Sequence, residues 1–221
     1  MSTARPARTT LLAAVTVLAG LLATGTGCSS GSDDRAAAAT APTAPTGADR
    51  SAPATPPAPS GPACSGLPAA GPGSPAALAG TPLGGAVATS PLLGTLAGAV
   101  RSANLVDALN SASDVTLLAP ANTAFDAVGQ AALGPLLSDT PRLTRLLTHH
   151  VLQGRLTPAQ LAGEHTTLAG DRVTVTGSGE QLAVSADQTL AGAGPASVVC
   201  GPLQAGNATV YLVDQVLQPA G

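Results

Sequence analysis

From Leu83 onward the apolar positions follow a helical spacing first and a strand spacing later. Val87, Leu92, Leu93, Leu96 and Val100 recur three and four residues apart, which predicts helix, with Pro91 in a first-turn position and Ser90 before it as the cap. Leu105–Asn110 reads as a second short amphipathic helix, ended by Asn110 and Ser111. The unbroken run Val115–Ala119 predicts a buried strand that stops at Pro120, because proline has no N–H to continue a ladder. Asn122 then stands where a side-chain oxygen can cap a new helix, and Phe125, the one phenylalanine of the chain, falls in its first turn facing back onto the strand. Helical turns continue over Ala127–Leu137, with a break expected at Gly134-Pro135. Asp139-Thr140-Pro141 opens the strongest helix, with Leu143, Leu146, Leu147 and His150 on one face and Arg142 and Arg145 on the other.

After a helical turn from Thr157-Pro158 to Leu161, strand signals take over. Arg172–Thr176 alternates, Gly177-Ser178-Gly179 turns, and Gln181–Ser185 returns. Ser197–Cys200, Thr209–Asp214 and Val216-Leu217 complete the set. Helices in the first half and strands in the second predict an α+β domain of about 140 residues, a size at which one core is expected.

Composition separates this domain from what precedes it. Residues 1–28 read as an export signal: Arg5 and Arg8 form a basic start, and Leu11–Ala23 is an apolar run of thirteen residues, short of the ~20 that span a membrane. Thr24-Gly25-Thr26-Gly27-Cys28 resembles a bacterial lipoprotein signal, in which Cys28 becomes the lipid-modified first residue and anchors the chain to the membrane. Gly25 stands where leucine is usual, and the alternative is cleavage to a secreted protein. Residues 29–63, rich in Ala, Pro, Thr and Ser, hold too little apolar surface to offset their ordering entropy and are expected to be a disordered tether. The domain proper is placed at 64–221, with its core at about 82–219.

With Cys28 assigned to lipid, Cys64 and Cys200 remain, and in an exported chain they most simply pair. The loop is long enough for chain entropy alone to contribute roughly 5 kcal/mol. Net charge is −3, the nine basic residues are all arginine, and no basic patch occurs, which argues against a nucleic-acid partner.

Candidate chemistry is sparse. His149-His150 with Glu164-His165 is the one titratable cluster, and it lacks a His pair four residues apart and any H-E-x-x-H pattern. Adjacent helical residues point about 100° apart, so one of the two histidines is expected inward as a hydrogen-bonded core residue. There is no G-x-S-x-G, and Gly177-Ser178-Gly179 has neither the lysine nor the following helix of a phosphate loop. Asn207-Ala208-Thr209 is a formal glycosylation sequon, but Asn207 also suits the turn before the last strand. No catalytic, metal or cofactor-binding residues are assigned.

Three ordered segments carry a family resemblance. VTLLAPANTAF (115–125) resembles the first signature of fasciclin-like (FAS1) domains, TVYLVDQVL (209–217) resembles the second, and LLTHHVLQG (146–154) is similar to the segment between them. Ala121, Leu118 and His149 stand where threonine, phenylalanine and tyrosine are usual. GPAC (61–64), SVVCG (197–201) and NATVYLVDQVL (207–217) are similar to the secreted and lipid-anchored fasciclin-domain antigens of mycobacteria, in which the two cysteines form a disulfide. The resemblance implies a two-sheet β-sandwich or wedge with helices packed along one edge, and Pro120, Asn122, Phe125, His150, Tyr211 and Asp214 as structural motif residues. It implies a non-enzymatic adhesion or protein-interaction module at the outer face of the cell envelope, a monomer whose partners are host, matrix or neighbouring-cell surface proteins. The alternative is a small apolar or lipid ligand in a groove between sheet and helices. The residues of VTLLAPANTAF explain a corner and a core and offer no nucleophile or ligand, so the stretch is expected to mark the fold and not a site.

Overall fold

A computed structural model describes residues 57–192 and 194–219. The expected export signal, Cys28 and residues 29–56 of the expected tether lie outside the described residues. The last part of that tether belongs to the domain. Ser60 N–H donates to the Gly201 carbonyl and Gly201 N–H donates back to Ser60, both at 3.0 Å, so the chain is docked four residues before Cys64. Gly61 follows at φ 122°, where a Cβ would stand 2.4 Å from the Val199 carbonyl oxygen; only glycine lets the backbone lie this close. A 3-10 turn, Pro62–Gly66, then carries Cys64 to its disulfide with Cys200, with Cα atoms 5.1 Å apart.

The first half is helical. α1 (Pro75–Ala79) lies inside the Gly/Pro-rich stretch and starts on Ser74, whose hydroxyl accepts from Ala77 N–H. α2 (Leu83–Thr89), a 3-10 turn (Pro91–Leu93), α3 (Gly94–Ser102) and α4 (Val106–Ser111) follow. Ser90 does not cap with its side chain: Leu93 N–H bonds to the Ser90 backbone carbonyl instead, and the Ser90 hydroxyl is buried without a partner among the described residues. After β1 (Val115–Pro120) come α5 (Asn122–Val128), α6 (Gln130–Ser138) and α7 (Thr140–His149). The break expected at Gly134-Pro135 is absent. α6 runs through Pro135 because Leu133 and Leu136, one turn apart, are both buried in the core and hold the helix against the lost hydrogen bond. Asp139 caps α7, accepting from Arg142 N–H at 3.1 Å.

The second half supplies β2 (Val151–Gln153), the short α8 (Pro158–Leu161), β3 (Gly163–Thr166), β4 (Arg172–Ser178), β5 (Gln181–Val184), β6 (Ala196–Gln204) and β7 (Ala208–Val213). The β4–β5 turn is tighter than expected: Ser178 pairs with Gln181 across Gly179-Glu180, and Gly177 is a strand residue at φ 100°. Seven strands run in the order β2-β1-β7-β6-β5-β4-β3. Only β1 and β7 are parallel, and both are buried along their whole length, which explains their unbroken apolar runs.

The two sheets expected for the sandwich are halves of this one ladder. β6 bonds to β5 only at Ala196-Ser197 and to β7 onward from Val198, with register shifts between. A bridge from Leu152 in β2 to Thr167 after β3 brings the far ends together, so the sheet is a near-barrel. Side-chain alternation divides the core accordingly. Leu117, Ala119, Val210 and Leu212 face the helices with Leu96, Phe125, Leu143 and Leu147, so the helices cover a face of this half-sheet as well as its edge. Leu118, Tyr211 and Val213 face the other way, packing against Leu182, Val173 and Leu217 between the half-sheets.

Candidate functional site

The β1–α5 corner is built as expected in outline and differently in detail. Leu118 N–H donates to His150 O on the β2 side and Ala121 N–H to Val213 O on the β7 side. Alternation therefore turns the nitrogen of Pro120 to the β2 side, beyond the last β1–β2 pair at Leu117–Val151, where no ladder bond is lost. Phe125 is buried in the helix-facing core. Asn122 is not the N-cap. Ala121 holds that position without a side-chain bond, and Asn122 Oδ1 accepts from Thr95 N–H at 3.0 Å while its Nδ2 donates to Pro91 O at 3.0 Å. As the first helical residue, Asn122 reaches outward and ties the corner to the start of α3.

This tie brings the two signatures onto one surface cleft of about 530 Å³, lined by Pro62, Ala63, Leu92, Asn122, Thr123, Val199 and Asp214 among others. One wall is the 3-10 turn held by the disulfide; another is the Ala121-Asn122-Thr123 corner; Asp214 comes from the end of β7. Asp214 Oδ1 accepts from Ser197 N–H at 2.7 Å, and Asp214 N–H donates to Ser197 O, so its carboxylate is firmly placed. The first signature thus contributes to a concave surface as well as to the fold, a role that residue types alone did not reveal.

Of the three histidines, His149 and His150 face inward. His150 follows α7 and is fully buried. Its Nε2 accepts from Leu217 N–H at 2.9 Å, which places the ring proton on Nδ1, and Nδ1–H donates to Leu146 O at 2.8 Å. Burial, opposed by the Leu146 bond and aided by the neighbouring His149, lowers its pKa from 6.5 to about 4. His149 is also buried; its Nδ1 meets Asp171 Oδ1 at 2.7 Å, and the same oxygen accepts from the Thr167 hydroxyl. Two histidines turn inward where one was expected: His150, the C-cap of α7, keeps helical dihedrals (φ −76°, ψ −6°), and the end of the helix is covered on two sides, by Asp171 against His149 and by Leu217 against His150. Burial pushes the Asp171 carboxyl up, and the Thr167 and His149 bonds outweigh it and leave the carboxyl below its ordinary value. His165 bonds to Leu161 O at 2.9 Å, and Glu164 forms an exposed ion pair with Arg172. Among the described residues no group of three or more His, Cys, Asp or Glu is arranged to hold a metal.

Tyr211 is buried, donates to Leu156 O at 3.0 Å, and has its phenol pKa raised by burial. Two clamps have no signal in residue spacing. Arg155 donates to Gln204 Oε1, Ala205 O, Gly206 O and Ala208 O, gathering the β6–β7 turn. Asn207 accepts from Leu83 N–H at 2.7 Å and donates to Leu109 O at 2.8 Å and Ala112 O at 2.6 Å, so the sequon asparagine is engaged inside the fold. A second concavity, an apolar pocket of about 60 Å³, lies between α3, α4, α7 and strands β1 and β2, lined by Leu96, Leu105, Leu109, Leu117 and Leu147 with the exposed Leu168 at its rim.

These features define an α+β domain whose titratable interior is a bonding framework and which carries a solvent-facing cleft between two sequence signatures. The chain belongs to the fasciclin-domain family, whose model matches residues 91–219. It is 37% identical over 122 residues to the cell surface glycolipoprotein MPB83 of Mycobacterium bovis, covering 52% of this chain and 48% of that one. It is 38% identical over 116 residues to the immunogenic protein MPT70 of Mycobacterium tuberculosis, covering 52% and 55%. Protein sll1483 of Synechocystis is 32% identical over 122 residues, covering 54% and 63%. The chain thus spans about half the length of the first curated relatives it matches. Among solved structures, a FAS1 domain pair from the insect cell adhesion molecule Fasciclin I aligns with a TM-score of 0.44 and 22% identity over 57% of this chain and 45% of that one.

Proposed function

We propose that the chain is a non-enzymatic interaction module at the outer face of a bacterial cell envelope, anchored through lipid on Cys28 and binding surface proteins of host, matrix or neighbouring cells. The observation that carries this reading is the division of labour in the domain. Its histidines, Asp171 and Tyr211 are committed to internal hydrogen bonds, while the walls of the open cleft are fixed by the disulfide, by Asn122 and by the Asp214–Ser197 pair. A rigid, solvent-facing concavity suits recognition, since little ordering is left to oppose binding. The surface location is supported by relatives described as a cell surface glycolipoprotein and an immunogenic protein.

The purified chain is expected to bind matrix proteins or intact cells saturably, and Cys28→Ala to release it to the medium. Absence of saturable binding together with turnover of an esterase panel overturns the interaction reading, and unchanged membrane retention of Cys28→Ala overturns the anchor.

The apolar pocket favours a second reading, binding of a small apolar ligand between sheet and helices. At about 60 Å³ it is well below the roughly 150 Å³ that holds benzene in an engineered cavity, so a lipid chain requires the pocket to widen. Lipid co-purifying with the chain in native mass spectrometry supports this reading; a lipid-free mass counts against it.

A further inference from the structure

The cleft between the signatures has one charged residue on its lining, Asp214, in a surface otherwise apolar or neutral. Its carboxylate uses one oxygen on Ser197 N–H, and no hydrogen bond of the described residues occupies the other. Beside it stand the exposed Thr123 on one wall and the aliphatic surfaces of Leu92, Ala63 and Val199. The volume, about 530 Å³, lies in the range of ligand-binding clefts and far exceeds one amino-acid side chain. We infer that this cleft docks a peptide segment of a partner protein through a basic side chain, its ammonium or guanidinium on Asp214 and its apolar neighbours on Leu92, Ala63 and Val199.

The charge argument selects the occupant. A half-buried carboxylate on an apolar concave surface favours a cationic side chain beside it and disfavours an acidic one. The chain carries a net charge of −3, so the wider field has the same sign and favours a basic partner over a second copy of this chain. The walls are held from opposite ends of the sequence, by Cys64–Cys200 and the Ser60–Gly201 pair on one side and by Asn122 bonded to Pro91 and Thr95 on the other. The segment therefore meets a formed site.

This inference rests on the interaction reading, and its test separates the two. The full chain, purified in detergent, is titrated with the acetylated, amidated pentapeptide Ala-Leu-Arg-Val-Ala and with its counterpart carrying Glu in place of Arg, followed by NMR and calorimetry. The Arg peptide is expected to bind with shifts at Thr123, Leu92 and Asp214 and to weaken at high salt; the Glu peptide is expected not to bind. Asp214→Asn keeps an oxygen for Ser197 N–H and removes the charge, and is expected to weaken the Arg peptide at least tenfold. Thr123→Trp, at an exposed position, narrows the cleft and is expected to do the same. No binding of the Arg peptide, equal binding of the Glu peptide, or undiminished binding by Asp214→Asn overturns the inference. If the chain binds cells and both variants bind them equally, the cleft assignment falls and the interaction reading stands. If the Arg peptide binds while the chain engages no cell or matrix protein and turns over an esterase panel, the interaction reading falls and the cleft assignment stands.

Discussion

His150 gives the fold a calculable sensitivity to acid. In the folded chain the neutral ring accepts from Leu217 N–H and donates to Leu146 O, joining the end of α7 to the segment after β7. Burial away from water disfavours the charged ring, the neighbouring His149 adds to that and the Leu146 bond opposes it, so the folded pKa is lowered from 6.5 to about 4. The unfolded chain takes up a proton as pH falls through 6.5 and the folded chain does not until about 4, so stability present above the unfolded value is lost as pH falls. The slope is about 1.4 kcal/mol per pH unit across that window, and the whole effect roughly 3 kcal/mol. Asp171, whose pKa is lowered from 3.8, adds a loss of the same sign at lower pH. Urea unfolding of the full chain at pH 7, 6, 5 and 4.5, followed by far-ultraviolet circular dichroism because the chain has no tryptophan, measures the slope. His150→Gln removes the titrating ring; it is expected to lose about 1–3 kcal/mol at pH 7 from imperfect hydrogen bonding and to show a flatter profile. A wild-type stability unchanged between pH 6.5 and 4.5, or a His150→Gln profile parallel to it, refutes the assignment.

Three further perturbations test the framework around the cleft. Phe125→Ala, which empties the helix-facing core beneath the corner, is expected to cost about 3–5 kcal/mol in urea unfolding, and a loss under ~1 kcal/mol means the ring is not a core anchor. Replacing Cys64 and Cys200 together with Ser is expected to cost about 2–5 kcal/mol, and non-reducing peptide mapping of the unaltered chain should recover the Cys64–Cys200 peptide. Asn207→Asp removes the bonds donated to Leu109 O and Ala112 O and sets a carboxylate against those carbonyls; it is expected to cost at least about 2 kcal/mol, and a neutral result means that the clamp carries little of the β6–β7 turn.

What could be read in advance divides along a physical line. Periodic burial leaves a mark on every second or every third and fourth residue, so β1, β7, α7 and the β4–β5 hairpin were legible. So was the pairing of Cys64 with Cys200, because the expectation of export, with Cys28 assigned to a lipoprotein signal, leaves those two cysteines to each other. Long-range polar ties leave no such mark. Arg155 and Asn207 serve backbone groups whose positions depend on the folded topology, and nothing in their neighbours distinguishes them from surface residues. Asn122 shows the same limit within a recognised motif: its residue type predicted a cap, yet its side chain bonds to Pro91 and Thr95, about thirty positions earlier. That displacement is what makes the corner a wall of the cleft. A capping Asn122 would turn back onto α5 and leave Thr95 and Pro91 untied. Turned outward, it fixes Thr123 opposite the turn held by Cys64, with Asp214 of the second signature alongside. The two signatures therefore share a surface because they share a parallel strand pair, β1 with β7, whose ends open side by side. The same pairing that identifies the fold also assembles the candidate site.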